Sequence, residues 1–326
     1  MEEKTNTMES DQIAVQFGGN FSLKLQLVAP YFSRSYGLLI NYKEGESEDA
    51  VKYELMVSYV KTIPEVARIF KIERTSMVYI NDVAPNTTID ELSYQAGQVF
   101  YPLSVAVDFD GAYLEVHNRE EIIERWPTHK RKLQEYFKGE AVERYLKLME
   151  EVIYDEWSLN ECFRKDLFIS SYFCSIYKPY TSDLVVKDDL FFPVTGEGAG
   201  MSFETEQFTE PYLNDSGEII LRHKGTVKDE RPMPEIEEGE ALTGDYTARY
   251  LLSAQTKSIQ SIVATWNPGG PVKQSVELLL FRTGEAEEQG SLNTDPHKAG
   301  NLVFLDGPEQ RSESGISKMF NTLFGK

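Results

Sequence analysis

Leu103-Ser-Val-Ala-Val-Asp-Phe109 and Ala112-Tyr-Leu-Glu-Val-His117 are two apolar, β-branched runs joined by Asp110-Gly111. Asp-Gly between such runs supplies the positive φ angles of a type I′ turn, so the stretch predicts a β-hairpin. Directly after it the hydrophobic period changes from two to 3.6. The hairpin therefore marks a border: mainly strands before it, helices after it.

Upstream, Phe21-Ser-Leu-Lys-Leu-Gln-Leu-Val28 alternates apolar and polar residues. So does Val51-Lys-Tyr-Glu-Leu-Met-Val-Ser-Tyr59, and each predicts a strand with one dry face. Gly37 to Tyr42 reads as a short strand, and Ala67 to Ile80 as one long strand or two short ones. Residues 1–11 are acidic and polar and predict disorder.

Downstream, Asn118 and Glu121 make a capping-box start. Ile122, Ile123, Trp126, Leu133 and Phe137 form an apolar stripe, with Pro127 expected to kink or split the helix and Gly139 to end it. A second helix carries Val142, Tyr145, Met149, Val152 and Ile153. Ser158 and Glu161 predict a second capping box opening a third helix, from Cys162 to Tyr177. That segment is apolar on most sides, which predicts a buried central element.

From about 185 to 282 the pattern returns to strands: Leu190–Val194, Met201–Phe208, Glu218–Val227, Asp245–Ala254, Ser258–Trp266 and Val272–Arg282. Segregated blocks argue for an α+β fold rather than alternating α/β. The expectation is one domain over 12–282, in which a curved, half-barrel-like antiparallel sheet from both strand blocks packs on about three central helices.

The last part of the chain differs. Residues 283–315 are acidic with little periodicity and read as a flexible linker. In 316–326, Ile316, Met319, Phe320, Leu323 and Phe324 fall on one face of a helix. So short a helix is marginal alone in water. It is expected to be disordered when free and helical when docked on a protein partner. Folding back onto its own domain is the plainer alternative. Membrane-surface contact is weakly supported, since Lys318 and Lys326 are the segment's only cations.

Composition limits function. A formal net charge of −20 lacks the basic footprint of a nucleic-acid binder. It favours solubility and a basic partner. The N-terminus lacks the features of a signal peptide, and no run is long enough for a stable membrane span. The sequons at Asn20, Asn86 and Asn214 are then coincidental. Cys162 and Cys174, both placed in the third helix, would lie about 18 Å apart, too far for a disulfide. Free thiols fit the expected cytoplasmic location.

No catalytic motif stands out, so a non-enzymatic interaction or adaptor protein, or an assembly component, is the leading expectation. His117, His129, His223 and His297 show no metal-ligand spacing, and no cofactor is implied. Gly196–Gly200 precedes a strand, not a helix, so it reads as a connector rather than a phosphate loop. Two alternatives remain. Phe163, Phe168, Tyr172, Phe173 and Tyr177 could line a cavity for an apolar ligand, lipid or hydrophobic peptide. Asp108, Asp110 and Glu115 at the hairpin form the best carboxylate cluster for an enzymatic acidic site. Asp188-Asp189 reads as solvated charge.

Overall fold

A computed structural model describes residues 12–18, 22–194, 200–228, 243–269 and 273–284. Before the helical block come β1 (Ser33–Glu44), β2 (Ser47–Ile63), β3 (Ala67–Arg74), β4 (Tyr79–Ile80), β5 (Leu103–Val107) and β6 (Tyr113–Val116). Helix α1 (Thr88–Gly97) lies between β4 and β5. Then follow α2 (Arg119–Tyr136), α3 (Glu140–Tyr154), α4 (Glu156–Arg164) and α5 (Leu167–Tyr172). Six strands complete the described chain: β7 (Val185–Phe192), β8 (Met201–Thr209), β9 (Glu218–Val227), β10 (Gly244–Ser253), β11 (Ile259–Pro268) and β12 (Gln274–Thr283). The fold is α+β, built on an open antiparallel sheet.

The strand order is β6-β5-β3-β2-β1-β12-β11-β10-β9-β8-β7, with β4 paired to β2. The chain thus begins in mid-sheet, works outward to the β6 edge, crosses through α2–α5 to the far edge at β7, and returns. β12 then pairs with β1, from Ser35↔Thr283 to Glu44↔Gln274, so the two strand blocks are one sheet. Period-two alternation fixes this seam: Leu38, Ile40, Val276, Leu278 and Leu280 are all buried.

Polar side chains on the sheet meet backbone carbonyls of the helical block. The Tyr250 hydroxyl donates to Ser171 O at 3.0 Å, and Gln207 Nε2 donates to Ile176 O at 3.0 Å. The Tyr172 hydroxyl donates to that of Tyr36 at 3.0 Å. The first bond satisfies a carbonyl at the C-terminal end of α5 that has no helical partner, and the second one just beyond that end.

Several expectations need correction. Residues 22–28 form no strand; Lys24 makes only isolated bridges to Gly18 and Pro179, although Leu25 is fully buried. Alternation specifies a wet and a dry face but not an available neighbour. Helix α1, capped by Thr87 Oγ1 accepting from Asp90 N at 3.1 Å, was not expected. Pro127 does not split α2.

The hairpin turn is wider than type I′. Only Gly111 has positive φ (+102°), and Asp108 Oδ1 accepts from the amides of Asp110 and Ala112. Asn118 makes no cap bond on α2; its amide ties Ser104 N to Pro102 O. α4 is capped by Asp155 rather than Ser158. The third helix is two, because Asp166 caps α5 by accepting from Ile169 N at 2.9 Å. Cys162 and Cys174 therefore share no helix, although both are buried and free. The helical block holds four helices rather than about three.

Candidate functional site

An open sheet has two edges, and here they differ. In an antiparallel pair, every second residue turns its N–H and C=O away from the partner strand. On β6 two such amides are covered from the helical side. Val116 N donates to Asn160 Oδ1 of α4 at 2.8 Å, and Tyr113 N donates to Phe173 O at 3.0 Å. Gly111 permits this approach, since a Cβ there would lie 2.9 Å from Cys174 O and from the Tyr177 ring.

β7 is different. Thr209 N donates to Leu184 O at 3.2 Å, which continues the β7–β8 register. The even-numbered residues of β7 thus bond to β8, and Val185, Lys187, Asp189 and Phe191 turn their backbone groups outward. Val185 O is taken by Thr181 N at 3.1 Å. Among the described residues, no hydrogen bond reaches the outward amides or carbonyls of Lys187, Asp189 and Phe191.

Side chains follow the same alternation. Lys187, Asp189 and Phe191 are exposed, whereas Phe192 is buried against Tyr246 and Trp266, with ring centroids 4.6 and 5.0 Å away. Phe191 lies over Gly200, where a Cβ would come within 1.9 Å of the ring.

Beside this edge lies a cleft of about 250 Å³, between β7, the start of β6, and α4–α5. Its walls include Tyr113, Arg164, Ile169, Ser175, Asp188 and Phe191. Arg164 pairs with Glu161 at 2.9 Å and stands 5.8 Å from the Tyr113 ring centroid. Asp188 accepts from Ser175 Oγ at 2.9 Å and from Lys178. On the outer face, Asp189 pairs with Lys228, and Lys187 with Glu206 at 3.0 Å. These hydrogen-bonded carboxylates raise the pKa of both lysines. Cys174 also lines the cleft, but burial pushes its thiol up to about 12, so it stays protonated and unreactive.

The structure gathers the expected cavity residues into a packed aromatic cluster. Phe163, Phe168, Tyr172, Phe173 and Tyr177 are all buried. Tyr172 meets Tyr36, Phe168 and Phe173 at 5.3, 5.4 and 4.9 Å, and Phe163 meets Phe100 edge-on at 5.3 Å. The Tyr177 hydroxyl donates to Lys257 O at 2.9 Å. A space of about 20 Å³ remains beside Tyr172, Phe173 and Tyr177, room for roughly one water.

The hairpin carboxylates have separate partners. Asp108 Oδ1 binds backbone amides, Asp110 pairs with Lys24 at 2.5 Å, and Glu115 is exposed on β6. Among the described residues, no three His, Cys, Asp or Glu side chains are grouped to hold a metal ion. Nor is any helix among them long and apolar enough to cross a membrane. Ile316, Met319, Phe320, Leu323 and Phe324 lie outside the described residues.

Sequence reasoning did not single out the β7 edge. Its alternation of Lys187, Asp189 and Phe191 against Asp188, Leu190 and Phe192 was available as a signal. Its position at the edge was not, because nothing local states which strand lacks a neighbour. No protein-family model matches the chain, and no curated protein matches it significantly.

Proposed function

We propose that this is a non-enzymatic cytosolic interaction or adaptor protein that holds a protein partner at the opening of its half-barrel-like sheet. One observation carries the reading: a strand edge at Lys187, Asp189 and Phe191, uncovered among the described residues, flanks a concave, partly apolar cleft of about 250 Å³. Both are ingredients of peptide recognition. The apolar face of 316–326 supplies a second contact with the partner. Two free, buried cysteines agree with a reducing compartment.

The apolar-carrier alternative gains less support, because aromatic rings occupy the space it requires. The acidic-site alternative gains less too, because Asp108 and Asp110 are engaged in turn and ion-pair bonds.

Ser170 also lines the cleft. The test compares three immobilised proteins in native lysate by mass spectrometry: the full chain, a chain ending at Glu313, and full-length Ser170→Trp, which fills the cleft. A protein retained by the full chain and lost from either variant supports the reading. Identical partner sets for all three would overturn it.

A further inference from the structure

Resting on the interaction reading, the geometry points to the binding mode and chemistry of the partner. We propose that an extended peptide adds to β7 as an antiparallel strand. Its outer-face side chains run apolar, basic, acidic at alternate positions, and the intervening side chains enter the cleft.

Lys187, Asp189 and Phe191 each present an outward N–H and C=O with no partner among the described residues, in the spacing of a sheet ladder. At the opposite edge Asn160 and Phe173 take the amides of Val116 and Tyr113. The side chains then set the order. A strand running antiparallel to β7 meets Phe191 first, Asp189 second and Lys187 third. Opposed cross-strand pairs favour an apolar residue, then a cation, then an anion. The residues between them lie opposite Leu190 and Asp188, on the face of β7 that lines the cleft.

A second copy of this chain fits less well. Self-pairing of β7 engages all three outward residues only when centred on Asp189, which opposes two Asp189 side chains.

The probes are the fluorescein-labelled peptides Val-Val-Lys-Val-Glu-Thr and Val-Val-Glu-Val-Lys-Thr, equal in composition with the two charges exchanged. Fluorescence anisotropy with the full chain is expected to show the first binding about tenfold more tightly. Hydrogen exchange at the Lys187, Asp189 and Phe191 amides should slow only with the first. The Asp189→Pro variant should lose binding yet keep its fold, because that amide donates to nothing in β8. N-methylation of the peptide at its pairing residues should abolish binding without touching the protein, which covers a folding failure of the variant.

Equal affinity for the two peptides, or no added protection at those three amides, would overturn strand addition. So would a dimer in sedimentation that Asp189→Pro makes monomeric, since that assigns the edge to a second copy. A lysate partner that survives Asp189→Pro but is lost from the chain ending at Glu313 would sink this mode alone and leave the interaction reading standing.

Discussion

His223 of β9 is enclosed between two partners, with Nδ1 3.0 Å from the Tyr246 hydroxyl and Nε2 2.9 Å from Gln207 Oε1. An amide oxygen can only accept, so Nε2 carries the proton and Nδ1 accepts from tyrosine. Burial lowers the imidazole pKa from 6.5 to about 3; the Asp188 charge opposes that shift and Lys178 adds to it. Between those two values the unfolded chain binds a proton that the folded chain refuses. Stability should therefore be highest above pH 6.5 and fall as pH drops toward 3, with this group contributing up to about 1.4 kcal/mol per pH unit. Urea unfolding from pH 7 to 4 checks this: His223→Asn should be less stable at pH 7 but show a flatter pH slope. An equal slope would assign the acid sensitivity elsewhere. At Gly111, positive φ combines with a neighbouring carbonyl that cannot rotate away. Gly111→Ala should cost roughly 1–3 kcal/mol in the same assay, and an unchanged midpoint would refute that reading.

Within the elements, α2 carries a defect and a tether. Pro127 is exposed in the helix interior and lacks the amide that would bond back one turn. Pro127→Ala is expected to raise stability by roughly 1–3 kcal/mol, seen as a higher denaturation midpoint. A lower midpoint would mean that the proline serves the packing. Asn118 is buried and links Ser104 N, Pro102 O and Glu121 at 2.8, 2.9 and 3.3 Å. Asn118→Ala strands Ser104 N, while Pro102 O keeps Arg125 Nη2 at 3.3 Å, and should cost roughly 1–3 kcal/mol. Asn118→Ser would restore that loss if the residue acted only as a helix cap. Sequence pattern placed most strands within a few residues of their observed ends, and it found α2 and α3. It failed where a single side chain decided a boundary: the Asp166 carboxylate divides an apolar run that periodicity joins, and Asp108 captures amides that Asp-Gly spacing assigns to a tighter turn.

For the whole molecule, the β1–β12 seam makes the two strand blocks one sheet, and the core cluster runs on from it into α2–α5. Trp126 in α2 and Trp266 in β11 are both fully buried, so each reports on one side of that core. With Trp157→Phe in the background, removing either tryptophan in turn leaves a single probe. Both probes should give the same urea midpoint as far-UV circular dichroism. Separate midpoints would show that helices and sheet unfold independently. The candidate site also belongs to this scale. Its residues come from β6, α4, α5 and β7, spread over some eighty positions of sequence.

The sequence by itself determined the order of strands, helices and strands, because apolar period is a local property that each segment states for itself. It also determined which strand faces are dry, as Leu38, Ile40, Leu278 and Leu280 show. Only the tertiary structure decided that β1 meets β12, that α4 covers the β6 edge, and that no described residue covers β7. Those outcomes depend on which distant segments become neighbours, and a strand's residues are compatible with more than one neighbour. The Phe163–Tyr177 aromatics make the same point: their sequence admits either a filled core or a lined cavity, and packing against Tyr36, Phe70 and Phe100 filled it.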